Sequence, residues 1–176
     1  MCRNVLVVVD MQNDFIDGSL GTKEAQAILP AALARIKECR KAGYHIIATQ
    51  DTHGDDYMNT REGKRLPVPH CIRGTNGWKF APVLQDELSD AWIVEKHAFG
   101  SSKLPDIVNK VTDGEPEIIE LIGLCTDICV VNNAMVLKAA FPEVQMQIRA
   151  SCCAGVTPEL HQAALDTMAS CQIDIL

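Results

Sequence analysis

Short runs that are apolar throughout alternate along the chain with longer stretches whose apolar residues recur at helical spacing. Asn4–Val9 is a β-branched run that stops at Asp10, and residues 45–49 form a second just after Gly43. Residues 91–94, 117–122 and 144–148 give three more, and 172–175 a short sixth. Continuous apolar runs, unlike alternating ones, suit strands of a parallel sheet covered on both faces. Between the runs, Leu29, Leu33 and Ile36 mark a helix, with Pro30 suited to its first position and Gly43 following its end. Ile128, Val131, Met135 and Leu137 or Lys138 mark another, with Asp127 as its N-cap. Thr157-Pro158 opens a third that runs through Ala164 and Met168, and residues 105–111 give a weaker signal. This βαβα order predicts an α/β fold: a doubly wound, mostly parallel sheet of five or six strands with helices on both faces. No linker, repeat or low-complexity segment interrupts the 176 residues, so residues 1–176 are expected to form one domain. The longest irregular stretch runs from Asp51 to about Trp78, and a loop of that length in a compact domain points to function or disorder.

Charge and cysteine content narrow the function classes. Lys plus Arg number 16 and Asp plus Glu 23, a formal charge of −7. An acidic chain without a basic block is a poor partner for nucleic acid or an anionic membrane. No apolar run approaches the roughly 20 residues that a membrane-spanning helix needs. Met1-Cys2-Arg3-Asn4 does not read as a signal peptide, so a cytoplasmic location is expected. The eight cysteines show no paired C-x-x-C spacing and are expected to be reduced, most of them small buried hydrophobes.

In doubly wound sheets ligands bind beyond the carboxyl ends of the strands, so the residues that follow each run carry the most information. Asp10 follows the first, Asp51-Thr52-His53 the second, Lys96 the third, and Gly123-Leu124-Cys125-Thr126-Asp127-Ile128-Cys129 the fourth. Cys129 falls in the first turn of the next helix, where unpaired N–H groups favour a thiolate and can hold an oxyanion. Lys96 would favour the thiolate further, and Asp10 could accept the thiol proton. The alternative is a buried structural cysteine, but an acid and a lysine at neighbouring strand ends tip the balance toward catalysis. Other chemistries fit less well. Asp10-Met11-Gln12 lacks the second Asp of a phosphoaspartyl phosphatase, and Met135 stands where a cysteine phosphatase loop carries Arg. There is no G-x-G-x-x-G or Walker pattern, and three residues, not two, separate Cys125 from Cys129. Asp51, His53 and His70 form a second constellation that suits Zn²⁺, Mn²⁺ or Fe²⁺, with Glu62 a further candidate ligand. D-x-H is a short signal, and solvated loop histidines are the plain alternative. His45, His97 and His161 have no comparable partners and read as structural or surface residues.

Together these residues resemble the isochorismatase-like cysteine hydrolase superfamily, most nearly its nicotinamidase/pyrazinamidase-related branch. The resemblance spans nearly the whole chain. It is carried by Val7-Val8-Val9-Asp10-Met11-Gln12-Asn13-Asp14-Phe15, Asp51-Thr52-His53, Pro69-His70-Cys71 and Lys96. Residues 123–130 around Cys129, and Cys153-Ala154-Gly155-Val156-Thr157-Pro158-Glu159 with His161, complete it. It implies a catalytic triad of Asp10, Lys96 and Cys129 and a divalent metal, zinc first, on Asp51, His53 and His70, with Glu62 beside them. It also implies a cis peptide at Leu124-Cys125, an oxyanion hole formed by the Cys125 and Cys129 amides, and a substrate pocket at Phe15 and Leu124. One departure stands out. Such enzymes carry an aromatic residue shortly before the metal histidine, whereas Leu66-Pro67-Val68-Pro69 offers none. A stacking wall would have to come from Tyr57 or Trp78.

The function that follows is a cysteine amidohydrolase that cleaves a small amide through a thioester and releases ammonia or an amine. One alternative is a metal-assisted hydrolase of a small amide, ureide or ether in which Cys129 is a bystander. Another is a non-catalytic small-molecule-binding protein that retains the pocket. Trp78, Phe80 and Trp92 lie outside the clearest core stripes, and related proteins commonly associate, so a homo-oligomer is expected.

Overall fold

The computed structural model describes residues 2–176. Strand β1 (Asn4–Val9) leads through the short helices α1 (Asn13–Ile16) and α2 (Lys23–Ala27) to α3 (Leu29–Lys41). After β2 (His45–Asp51) comes the long connection, which holds a 3₁₀ turn (Tyr57–Asn59) and the short helices α4 (Arg61–Arg65) and α5 (Pro82–Gln85). Then follow β3 (Trp92–Lys96), α6 (Leu104–Val111) and β4 (Ile118–Leu124). A π-helical turn (Thr126–Val130) runs directly into α7 (Val131–Ala140), and β5 (Gln145–Ala154), α8 (Pro158–Ser170) and β6 (Asp174–Ile175) complete the chain.

The strands form one parallel sheet in the order β3-β2-β1-β4-β5-β6. From β1 the chain steps outward to β2 and β3, then returns to β4 on the other side and steps outward again. The direction reverses between β1 and β4, so the crevice beyond their carboxyl ends is the topological switch point. β1 lies at the centre, and Val5 to Val9 have no solvent exposure. Close packing here demands a glycine. Gly123 pairs with Val9 and has φ +121°, and a Cβ at that position would lie 2.1 Å from the Val9 carbonyl oxygen.

All six expected strands are present, with shifted ends. β2 extends to Asp51, β4 to Leu124 and β5 to Ala154. The added residues include Gln50, Asp51, Arg149 and Ser151, which hydropathy does not flag. Neighbouring β3 holds the first two, in the pairs Gln50↔Glu95 and Asp51↔Lys96, whereas Arg149 and Ser151 fall where the β4–β5 register shifts. The Asp51↔Lys96 pair sets two candidate site residues side by side.

The helix after β4 differs more. Asp127 is not its N-cap: Cys125 precedes the turn, and the Val130 N–H bonds the Cys125 carbonyl five residues back. This wider turn offsets the expected apolar stripe. The buried face is Val130, Asn133, Ala134 and Leu137, while Ile128, Val131 and Met135 are only partly covered. In α3 the buried residues are Ala32, Ile36 and Cys39, and Pro30 occupies the second helical position. Thr157 caps α8 as expected, accepting the Leu160 N–H at 3.2 Å. Trp78 and Phe80 are half-buried against the core, whereas Trp92 is exposed on the edge strand β3 beneath the Lys110 ammonium. Among the described residues no helix is long and apolar enough to cross a membrane.

Candidate active site

The chain leaves β1 at Asp10 with φ +48°, a left-handed conformation that side chains other than glycine rarely adopt. The Asp10 N–H donates to both the carbonyl and the Oγ1 of Thr49, each at 3.2 Å, and the Thr49 hydroxyl donates to Asp10 Oδ1 at 2.7 Å. Lys96, the last residue of β3, reaches across the strand ends. Its Nζ lies 2.7 Å from Asp10 Oδ2, 2.9 Å from Asp51 Oδ1 and 3.4 Å from Cys129 Sγ. The acid, lysine and thiol expected from the sequence therefore meet at the switch point. None is more than 5% exposed, so their charges act on one another with little solvent screening.

Burial pushes the Asp10 carboxyl above its ordinary range, with Lys96 opposing and Asp51 adding to the shift. Burial would lower the Lys96 pKa, but the facing Asp10, Cys129 and Asp51 raise it, so the ammonium stays charged. Burial and then Asp10 push the Cys129 thiol well up, and Lys96 only partly offsets them. Asp10 bonds the thiol and is the group placed to take its proton. Asp10 Oδ2 is in ionic contact with Lys96, and a carboxylate oxygen has a second lone pair that can accept a proton.

The second constellation also comes together. Donor atoms of Asp51, His53 and His70 lie within 4.8 Å of one another, and all three residues are buried. His53 Nε2 is 3.0 Å and His70 Nε2 3.7 Å from Asp51 Oδ2. Glu62 Oε1 stands 3.8 Å and 3.6 Å from the same two nitrogens. His70 Nδ1 is 2.9 Å from the Val68 carbonyl, which assigns the proton to Nδ1 and turns the Nε2 lone pair inward. One carboxylate and two imidazoles converging in this way fit a divalent cation. Asp51 joins the two groups, because Oδ1 accepts Lys96 while Oδ2 faces the histidines. Burial opposes its ionisation, but bonds to His53 and Lys96 hold its carboxyl below the usual range.

The surrounding side chains complete the site. The Phe15 ring is 5.5 Å from that of His70. Tyr57 packs edge-on against His53 and His70 at 4.7 and 5.0 Å, and its hydroxyl donates to the Leu66 carbonyl, so it buttresses the imidazoles. Trp78 is anchored by its Nε1–H to Thr52 Oγ1 at 2.8 Å. The Leu124-Cys125 peptide is cis, at the expected position. The Cys125 N–H has no hydrogen-bond partner among the described residues, and the Leu124 side chain is buried in the core. Burial raises the Cys125 thiol to about 12. His45, His97 and His161 make single polar contacts, to the Cys2 carbonyl, the Thr52 carbonyl and Thr126 Oγ1.

Several residues that hold the site were not singled out from the sequence. Gln12 clamps the Asp51 backbone, donating to its carbonyl at 2.9 Å and accepting its N–H at 2.7 Å. Asp14 Oδ2 accepts the Cys71 N–H at 2.7 Å and so fixes the segment that carries His70. Asn133, fully buried on α7, donates to the Cys129 and Phe99 carbonyls and accepts the Ser101 N–H, tying the loop after β3 to the Cys129 turn. Gln12 and Asp14 lie just past an apolar run, a position that signals a sheet edge. Nothing in the sequence names their partners.

A thiol with an acid and a lysine at the switch point of a parallel sheet is the equipment of a nucleophilic hydrolase of the α/β class. The isochorismatase domain model matches residues 4–176, and the chain belongs to that family. It is 26% identical to the nicotinamidase/pyrazinamidase of Mycobacterium tuberculosis over 183 residues, 97% of each chain. It superimposes on the pyrazinamidase of Pyrococcus horikoshii in complex with zinc with a TM-score of 0.85, at 27% identity, covering 99% of this chain and 98% of that one. The N-carbamoylsarcosine amidase of Thermoplasma acidophilum gives a TM-score of 0.76 at 25% identity, covering 99% of this chain and 95% of that one.

Proposed function

We propose that this protein hydrolyses a small carboxamide through a thioester on Cys129. The observation that carries the reading is the position of Lys96 Nζ, 2.7 Å from Asp10 Oδ2 and 3.4 Å from Cys129 Sγ in a buried cluster. Asp10 Oδ2 takes the thiol proton, and Lys96 stabilises the negative charge that appears on sulfur. The sulfur attacks the amide carbon, and the carbonyl electron pair moves to oxygen, where the Cys125 and Cys129 amides receive it. Collapse breaks the C–N bond, and Asp10 passes its proton to the departing nitrogen, so ammonia or an amine leaves. Asp10 then takes a proton from water, the hydroxide opens the thioester, and the returned proton restores the thiol.

Asp51, His53 and His70 would hold a divalent metal, with Glu62 in reach. Zinc is our assignment, since a carboxylate with two imidazoles suits it and the similar Pyrococcus horikoshii enzyme is described with zinc. When bound, the ion supplies a Lewis-acidic point for orienting a substrate heteroatom. The similar proteins act on amides of aromatic acids or on an N-carbamoyl compound by their names, which supports a C–N bond as the target.

The test is ammonia release from a panel that includes nicotinamide, pyrazinamide and ureido acids. We expect turnover of at least one member by the wild type and none by Cys129→Ala, with both folded alike. Ordinary activity in Cys129→Ala would remove the nucleophile assignment.

A further inference from the structure

We infer that Thr49 is a positioning residue of this site, whose hydroxyl fixes the orientation of the Asp10 carboxylate toward the lysine and the thiol. The inference rests on the hydrolytic reading above for its kinetic consequence, but its geometry stands apart. Thr49 lies in β2 opposite Val9, with no solvent exposure, after the apolar Ile47 and Ala48. A hydroxyl at such a position costs stability unless it is bonded. Its bonds go to Asp10, to Oδ1 at 2.7 Å and from the N–H at 3.2 Å, and its carbonyl accepts the same N–H.

Thr49 thereby grips Asp10 at both backbone and carboxylate, at a residue whose φ of +48° needs external support. With Oδ1 committed to the hydroxyl, the carboxylate plane is set and Oδ2 meets Lys96. Rotation about the Cβ–Cγ bond that turns the carboxylate plane breaks the Thr49 bond. A proton leaving Cys129 therefore arrives at a fixed acceptor. Without the hydroxyl, Oδ1 loses its donor and the carboxylate can turn toward Lys96, drawing the ammonium from Asp51 and the sulfur.

The experiment compares Thr49→Val, which keeps the shape and removes the hydroxyl, with Thr49→Ser, which keeps the hydroxyl. For Thr49→Val we expect kcat to fall at least about tenfold, the size of one hydrogen bond to a charged group, with KM changed less than about twofold. Iodoacetamide labelling of Cys129, followed by peptide mass, should slow alongside. Thr49→Ser should recover both to within about threefold of wild type, and bound metal should be equal in all three. A Thr49→Val enzyme with wild-type kcat and labelling rate overturns the inference. So does a Thr49→Ser enzyme as impaired as Thr49→Val, since the methyl group would then be what matters. If Thr49→Val does not fold, Thr49→Ala makes the same comparison. Labelling needs no substrate, so a wild type that cleaves no amide sinks the hydrolytic reading while the labelling rates still decide the role of Thr49.

Discussion

Two carboxylates with no solvent exposure, one within β4 and one just past the end of its neighbour β1, are treated in opposite ways. Glu120, in mid-β4, is saturated: Arg35 bonds both its oxygens at 2.7 Å, and Arg149 and Gln147 add further donors. Burial pushes its carboxyl up, but these donors more than offset that and hold it below the usual range. Asp10, just past the end of β1, has the Thr49 hydroxyl on one oxygen and Lys96 on the other, fewer donors than Glu120, and its carboxyl is pushed up. Burial of a charge is costly in both places. Where every lone pair is matched, the group ties α3 to the sheet. Where the donors are fewer and burial prevails, it can carry a proton.

Exchanging each carboxylate for its amide should separate the two roles. Asp10→Asn should lower kcat by about 10²–10⁴, the usual worth of a general acid–base group, and leave thermal stability equal or higher. Glu120→Gln should do the reverse, costing about 3–5 kcal/mol in urea unfolding as a broken buried ion pair, with kcat per folded molecule unchanged. A stability loss in Asp10→Asn larger than in Glu120→Gln would break the contrast. Metal content sharpens it: His53→Ala should lose its divalent ion by elemental analysis, whereas Glu120→Gln should retain it. No ion in metal-replete wild type would count against that site.

The smallest effect is in the pH dependence. The folded-state pKa of Glu120 is lowered from its ordinary 4.5, so its contribution is present above that pH and is lost as pH falls through the lower folded value. The stability gap between wild type and Glu120→Gln should therefore narrow below pH 4.5. The Asp10 shift is upward from 3.8, so ionising it costs stability as pH rises from there through the folded value. Asp10→Asn should gain on wild type over that rise. Urea titrations across the acid range read both signs.

The strand ends were legible because a parallel sheet buried on both faces yields unbroken apolar runs, and the first polar residue after each run lies at the ligand-binding edge. Asp10 was found in this way. Asp51 and Lys96 were found too, although each proved to be the last residue of its strand. The links between them were hidden. That Asp51 joins Lys96 to the histidines depends on strand register, which hydropathy does not encode. Thr49 and Glu120 sit inside strands, and the main partner of Glu120, Arg35, is 85 residues away. The π-helical turn escaped for a different reason. Helical periodicity assumes 3.6 residues per turn, and one wide turn moved Asn133 onto the buried face.

The most direct test of the Cys129 thioester is the mass of the protein quenched in acid during turnover of a substrate from the amide panel. A transient increment equal to the acyl group, mapped to the peptide that contains Cys129 and absent from Cys129→Ala, is the predicted result. An acyl group on a different cysteine, or steady ammonia release by Cys129→Ala, would contradict it.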